Sequence, residues 1–552
     1  MSLPTGARDY QNTERPAALA RLFAIVCAAV IPYLMIASTT FLSDDSFYVR
    51  IYSIHGLRDL PALFYGDWSY GLWGYPLAEI RPVAAAMFMF DWRFWGANPV
   101  GYHLSNILLH AICAILIALI ARKAAKVDAG IAALAGILFA LQPAHVGAVA
   151  WITGRVDVLA TVFCLAAIAA YIEWRESKST GWHLASLLIF VAALFSKELA
   201  ITLPVLVFAF EMTLGKARAV EALKRASWHG VALFGYVILR TATLGSLSGP
   251  QYYLSGSAGY VFFKSQPTIL VSLLPPFDLL LLAMRSRWAF ALLTAAVVCG
   301  IVIARRRPGA MSVSGSTGAS LLFFAIFWYA ITALPMLTTN EEMRRYYLPS
   351  AGVCVAIAIL VSMIRPARLR LTTATALIVL SAVSLVVNLT TYRRVAAAAD
   401  DAHTSIVSIA TSTQQRSMVV TALPASHKGI PLWSTTNPIA YEPPFSPPDL
   451  TQSLTVIESP SAYVTDSAWH RAYDDAVSHK LGQSAETCAI VYFEPRVERA
   501  MTTPLACNEA TRMIDAYLAA TRAPVPDDYY GAYTRSWNDY WTRIARDRRV
   551  SR

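Results

Sequence analysis

The sequence has few charged residues for its length. Only 15% of its 552 residues are Asp, Glu, Lys or Arg, whereas a soluble protein uses about 25%. Hydrophobic residues make up 56% of the chain. The deficit excludes an ordinary water-soluble globular protein, and it indicates that much of the surface faces lipid.

Cysteine is also scarce. Five of the seven cysteines lie in apolar segments, where a free thiol behaves as a small hydrophobic group. The other two, Cys488 and Cys507, lie in the polar C-terminal region. An even pair in an oxidising compartment predicts a disulfide between them, with two unrelated thiols as the alternative.

No basic patch with interleaved aromatic residues is present, although the net charge is +11. Residues 1–390 hold 30 Lys and Arg against 18 Asp and Glu, and residues 391–552 hold 16 against 17. The basic excess therefore belongs to the apolar part, where membrane topology produces it. This distribution argues against a nucleic-acid partner.

Apolar runs long enough to cross a bilayer recur through the first 390 residues. We predict eleven membrane helices, at 17–38, 102–121, 130–148, 156–173, 183–195, 199–214, 228–243, 287–304, 319–338, 350–364 and 371–390. Segment 267–283 contains Pro275, Pro276 and Asp278, which favours a re-entrant or interfacial position. The fold class is thus a polytopic α-helical membrane protein.

The distribution of Lys and Arg predicts the orientation. With residues 1–16 as a cytoplasmic tail, the four densest basic clusters of the apolar part fall on the cytoplasmic side. The membrane domain then covers 17–390, with a first extracytoplasmic loop at 40–101. Residues 391–552 form a small extracytoplasmic α/β domain, and the chain ends outside. A multi-pass protein of a bacterial inner membrane is expected.

Two adjacent carboxylates, Asp44 and Asp45, follow the first predicted span at the outer boundary of the membrane. Neighbouring acids beside low-dielectric material raise each other's pKa, which suits a general base working near neutral pH. A divalent ion at this pair is an open alternative, as is a solvated loop.

Several cations fall on the same predicted outer side, against the insertion bias. They are Arg81, Arg155, Lys197, Arg344 and Arg345. Recognition of an anionic lipid phosphate is a sufficient physical reason, because guanidinium groups match phosphate oxygens. The alternative is structural ion pairing, most readily between Lys197 and the adjacent Glu198.

Further polar residues accompany these cations. His103, Asn106 and His110 lie on one face of a predicted helix and must point into the helix bundle. Hydrogen bonding between helices explains them better than metal ligation does. His145, Asp157 and Tyr346 lie in the outer segments and complete the candidate pocket.

Four sequence blocks carry a resemblance to a known family. They are Trp95–His110, Phe139–His145, Gly154–Asp157 and Ser196–Glu198, together with the acid pair and Arg81-Pro82. They resemble the GT-C membrane glycosyltransferases, in particular protein O-mannosyltransferases and the transmembrane tetratricopeptide-repeat mannosyltransferases. The similarity covers about residues 17–390, and no tetratricopeptide repeats follow.

The resemblance implies inverting transfer of a sugar from a polyprenyl-phosphate donor, with Asp44 or Asp45 as the catalytic carboxylate. The acceptor is a protein, a glycolipid or a surface polysaccharide. Some members of the superfold use a divalent ion, and others do not. A secondary transporter or flippase is the rival hypothesis, and a non-catalytic scaffold is a third. Transporters bind near the membrane midplane and carry internal repeats, whereas these polar groups gather at one interface.

Overall fold

The computed structural model describes a helical membrane part and pieces of a C-terminal sheet. The described residues are 5–69, 79–125, 127–245, 269–270, 272–274, 315–335, 343–412, 417–422, 426–427, 430–432, 440–446, 449–450, 454–457, 487–494, 497 and 499–505. The predicted span 287–304 and the two cysteines proposed as a disulfide lie outside what is described here, apart from the backbone of Cys488.

The helices follow the apolar runs. They are α1 (Thr5–Val30), α2 (Asp45–Ile54), α3 (Pro82–Trp95), α4 (Pro99–Ala125), α5 (Ala129–Ala140), α6 (Val146–Val149), α7 (Arg155–Ser177), α8 (Thr180–Leu194), α9 (Leu203–Thr213), α10 (Ala219–Leu244), α11 (Gly315–Ala333), α12 (Tyr347–Ser362) and α13 (Ala367–Ser412). Short 3₁₀ turns lie at Pro32–Ile36, Leu60–Phe64, Pro143–His145, Glu198–Thr202 and Met343–Tyr346.

Local sequence explains several helix ends. Pro82 begins α3, where its missing N–H is not needed. Asp128 caps α5 by accepting a hydrogen bond from the Gly130 N–H at 2.7 Å. Gly245 ends α10 with a positive φ of 70°, a conformation that glycine adopts without strain. These local signals fix one end each of α3, α5 and α10.

Five helices of the described part are long and apolar enough to cross a membrane. They are Pro16–Ile36, Pro99–Ala124, Arg155–Ser177, Met343–Ser362 and Ala367–Thr411. The bent pair Ala129–Ala140 and Pro143–Val149, with a 46° break, makes six if it is one span. Predicted spans 183–195 and 319–338 fall on shorter apolar helices. An integral membrane protein is supported, while the count of eleven stays a prediction.

Helix α13 is much longer than the predicted span 371–390. Its 46 residues extend about 70 Å at 1.5 Å per residue, against a hydrocarbon core of about 30 Å. The predicted domain boundary at residue 390 therefore falls inside a continuous helix. The predicted loop 40–101 likewise contains α2 and α3.

The C-terminal part contains a four-stranded sheet beside the end of α13. The strands are β1 (Ser417–Ala422), β2 (Ser426–His427), β3 (Ile430–Pro431), β4 (Leu454–Ile457), β5 (Thr487–Glu494) and β6 (Arg499–Leu505). The order is β4-β1-β5-β6, with β4, β1 and β5 parallel and β6 antiparallel to β5. A buried cluster of alanines and larger aliphatic residues, with Tyr441, joins α13 to this part.

Candidate active site

The two adjacent acids occupy different environments. Asp45 begins α2 and is fully buried. Its Oδ2 accepts from the Leu42 N–H at 2.9 Å, and its Oδ1 accepts from the Thr153 N–H at 2.8 Å and the Thr153 hydroxyl at 2.7 Å. Asp44 is partly exposed and makes no capping hydrogen bond to the helix. Residues 41–45 are called the acid turn below.

Burial raises the pKa of Asp45 to about 7, although its hydrogen-bond donors oppose the rise. Ser43, beside the pair, has a φ of 51°, in the left-handed region that non-glycine residues rarely adopt. Such strained conformations concentrate at functional sites and persist when the surroundings fix them. The acid turn is therefore held firmly, with Asp45 as its anchor and Asp44 as its accessible carboxylate.

The polar face of α4 holds the segment that anchors the acid turn. The Asn106 amide donates to the carbonyls of Val149, Trp151 and Ile152 at 3.2–3.3 Å. The next residue along the chain is Thr153. A Cβ on Gly154 would lie 2.6 Å from a backbone carbonyl, so only glycine fits where this segment turns into α7.

The three histidines of the candidate set make interhelical hydrogen bonds. His103 Nε2 lies 3.1 Å from the Thr39 hydroxyl, and His110 Nδ1 lies 2.6 Å from the Tyr347 hydroxyl. His145 Nε2 lies 2.7 Å from the hydroxyl of Ser350. These contacts join α4 and the turn before α6 to the segment that follows the 3₁₀ turn Pro32–Ile36 and to α12, so all three residues support the site from within the bundle.

A cluster of cations and carboxylates forms where five chain segments meet. The Arg81 guanidinium donates to Glu79 and Glu198, both at 2.8 Å, and Arg240 lies 3.2 Å from Glu198. Lys197 Nζ pairs with Asp157. These residues, with Arg344 and Arg345, are called the cation cluster.

The arginines before α12 complete the cation cluster. Arg344 Nη1 lies 3.2 Å from the second oxygen of Asp157, so this carboxylate serves two cations. Burial, together with the positive charges of Arg344, Arg81 and Arg345, lowers the pKa of Lys197 to about 8 against the opposing pull of Asp157. Tyr346 is buried beside them.

Arg155 has a different environment from the other predicted cations. It is fully buried, and its Nη1 lies 2.5 Å from Asp91 of α3. Its Nη2 donates to the Tyr102 carbonyl at 3.1 Å, and its guanidinium lies 4.4 Å from the Phe88 ring centre. Because these groups enclose it, Arg155 ties α3, α4 and α7 together and is not part of the cation cluster.

Trp151 joins the acid turn to the cation cluster. Its indole N–H donates to the Leu42 carbonyl at 3.2 Å, while the Arg344 guanidinium lies 4.6 Å from its ring centre. Tyr48 of α2 makes a second link. Burial is the main cause of its raised pKa, and the charges of Glu79, Asp44 and Arg81 all act on it. The acid turn and the cation cluster are therefore connected through Trp151.

The described residues include no group of three His, Cys, Asp or Glu side chains placed to hold a metal ion. Both oxygens of Asp45 already accept hydrogen bonds. These donors leave Asp45 a poor fit for a divalent ion.

Several residues of the site were missed by sequence reasoning. They are Glu79, Asp91, Trp151, Thr153 and Arg240. Arg240 carried a usable signal, because a charged residue inside a predicted span is a functional candidate by default. Thr153 and Trp151 carried none, since only tertiary contacts bring them to the acid turn.

No family model matches the chain. Curated relatives include the protein O-mannosyl-transferase Tmtc1 of Drosophila melanogaster, 33% identical over 191 residues (33% of this chain, 22% of that protein). TMTC2 of Homo sapiens is 30% identical over 251 residues, which are 42% of this chain and 29% of that protein. This chain thus spans less than a third of their length. The predicted resemblance to the transmembrane mannosyltransferases is confirmed by these relatives.

Among solved structures, ArnT from Cupriavidus metallidurans bound to undecaprenyl phosphate is similar with a TM-score of 0.47 and 13% identity. The match covers 87% of this chain and 97% of that one. The same protein in the apo state gives a TM-score of 0.45 and 12% identity.

Proposed function

We propose that the chain is a membrane glycosyltransferase that moves a sugar from a polyprenyl-phosphate donor to an acceptor hydroxyl. The observation that carries the proposal is the arrangement around Trp151, with an accessible carboxylate on one side and a cation cluster on the other. Glycosyl transfer from a lipid phosphate needs a base for the incoming hydroxyl and positive charge for the departing phosphate. This arrangement can supply both.

Asp44 acts as the base. It accepts the proton of the acceptor hydroxyl as the oxygen attacks the anomeric carbon from the side opposite the phosphate, which inverts the configuration. The bond between that carbon and the phosphate oxygen breaks, and the lipid phosphate leaves with the bonding electrons. Asp45 fixes the acid turn, because its oxygens are already engaged by Leu42 and Thr153.

The cation cluster stabilises the departing phosphate. Asp157 and Glu198 each pair with two cations, so these carboxylates hold the cations together in fixed positions. Preorganised cations act most strongly where charge develops in the transition state. Lys197, Arg344 and Arg345 are the proposed phosphate contacts, with Arg81 oriented beside them by Glu79.

The names of the relatives favour a protein hydroxyl as the acceptor and mannose as the sugar. A glycolipid or a surface polysaccharide is the alternative acceptor.

We also propose that the active site and residues 391–552 lie outside a bacterial inner membrane, with the N-terminus in the cytoplasm. A reporter fused after Arg552 should then be active only outside the cytoplasm.

The decisive experiment uses detergent-solubilised protein. Purified wild type is mixed with a labelled polyprenyl-phosphate hexose and with envelope extract from a strain lacking the gene, and labelled product is measured by mass spectrometry. Asp44→Asn should lose transfer, while Asp59→Asn, at an exposed carboxylate paired with His55, should keep it. A detergent micelle does not separate two compartments, so a flippase would give no labelled transfer product in this assay. The proposal is wrong if the wild type transfers no sugar from any of several polyprenyl-phosphate donors that carry different sugars.

A further inference from the structure

A short turn of the C-terminal part lies against the acid turn. It comprises residues 441–446, contains Pro443 and Pro444, and is called the proline turn. Its Glu442 Oε1 accepts from Arg50 Nε at 2.6 Å. Its Phe445 ring packs edge-on against Phe41, with ring centres 5.5 Å apart.

These two contacts bracket the acids. Phe41 lies three residues before Asp44, and Arg50 lies on α2, whose first residue is Asp45. Phe41 also packs against Tyr102 of α4, with ring centres 5.6 Å apart. The proline turn therefore touches the chain on both sides of the carboxylates, which limits movement of the acid turn relative to the bundle.

The proline turn is itself fixed to the last membrane helix. Tyr441 is fully buried and stacks on His403 of α13, with ring centres 5.1 Å apart. Within the turn, the N–H groups of Phe445 and Ser446 donate to the Glu442 carbonyl at 2.9 and 3.1 Å. A path of packed groups thus runs from α13 through the turn to the acids.

We propose that Glu442 and Phe445 are positioning residues that hold Asp44 in its reactive place through Arg50 and Phe41. The inference rests on the proposed glycosyl transfer and deepens it, because it assigns part of the site to the C-terminal part. The Arg50 and Glu442 side chains are 31% and 25% exposed, and such pairs contribute little to stability. Their main effect is on geometry, where a displacement of about 1 Å can lower a rate about 100-fold.

The test compares full-length variants in the detergent assay. Glu442→Gln and Phe445→Ala should each lower kcat roughly 10-fold, while KM for the donor stays within about twofold, because Asp44 is displaced and the cation cluster is not. The double variant Arg50→Glu with Glu442→Arg should recover most of the loss. Phe445→Leu, which keeps an apolar contact, should lose less than Phe445→Ala.

A matched control breaks a different ion pair of the C-terminal part. Arg499 of β6 lies 3.8 Å from Asp401 of α13, and Arg499→Gln should leave kcat unchanged. The proposal is overturned if Glu442→Gln and Phe445→Ala keep wild-type kcat. It is also overturned if Arg499→Gln loses as much, or if the exchanged pair recovers nothing. An inactive wild type defeats the proposed function instead, so the two failures are distinguishable.

Discussion

Asp45 is buried at one end of the helix bundle and Glu211 at the other, and the two carboxylates accept hydrogen bonds from different kinds of donor. At the acid end, the hydrogen bonds to Asp45 come from neutral N–H and O–H groups. At the opposite end, the buried Glu211 accepts from Arg175 and Arg225 at 2.5 Å each and from the Tyr171 hydroxyl at 2.8 Å. Two cations converge on one acid there.

The difference separates an acid that binds cations directly from one that neutral donors hold. Glu211 joins α7, α9 and α10 through its two arginines and a tyrosine. At the acid end the cations pair with Asp157 and Glu198, and Trp151 connects Arg344 to the acid turn. Four substitutions test this contrast.

The largest effect is expected at Asp44. Asp44→Asn should lower transfer roughly 10²–10⁴-fold, because it removes the proposed general base. Insertion and thermal stability should stay near wild type, since this side chain is partly exposed. Transfer assays with matched amounts of folded protein measure the loss. Wild-type transfer by this variant would show that Asp44 is not the general base.

Removal of a phosphate contact should have the next largest effect. Arg344→Ala should lower kcat/KM for the donor roughly 10–100-fold, through lost stabilisation of the leaving phosphate. The matched control is Arg225→Ala at the opposite end, which also removes a guanidinium from a buried carboxylate. Equal losses per folded molecule would contradict the assignment of the two ends.

A smaller effect is expected at Asp45. Asp45→Asn keeps an oxygen acceptor at the anchor and should lower transfer only several-fold. Because the folded protein keeps the Asp45 proton up to a pKa of about 7 and the unfolded chain loses it near pH 4, the unfolded state binds fewer protons in between.

The free energy of unfolding should therefore fall as pH rises from about 4 to about 7, by at most roughly 1.4 kcal/mol per unit of pH from this one group. Thermal unfolding across this range measures the slope, and Asp45→Asn should reduce it. An unchanged slope in the variant would show that the carboxyl ionises normally.

The smallest effect on transfer is expected at Glu211. Glu211→Gln should leave transfer per folded molecule within about twofold. It should lower stability by about 3–5 kcal/mol, because it leaves two arginines beside a neutral amide. Thermal unfolding and activity measured on one preparation separate the two quantities. A large loss of transfer at unchanged stability would mean that the opposite end also serves the reaction.

Much of the site was predictable because charged side chains are unfavourable beside long apolar segments. Asp44, Asp45, Lys197 and Arg344 are charged residues at the margins of apolar runs, and this conflict is visible in the sequence. Composition likewise determined the membrane class, and each apolar run of the described part coincides with a helix, whereas α2 and α3 lie in the predicted loop. The last 22 residues of α13, about six turns, were missed because they carry charged residues on one side and pack against the C-terminal part on the other.

Only the tertiary structure decided which charges pair with which. Arg155 and Lys197 looked equivalent in sequence, yet packing of α3 against α7 gives Arg155 the buried partner Asp91, while Lys197 faces Asp157 beside Arg344. The ranking of Asp44 and Asp45 was also out of reach, because Thr153 lies 108 residues from the acid it anchors. Apolar length and charge are local properties of a chain, whereas burial and hydrogen-bond partners exist only once distant segments meet.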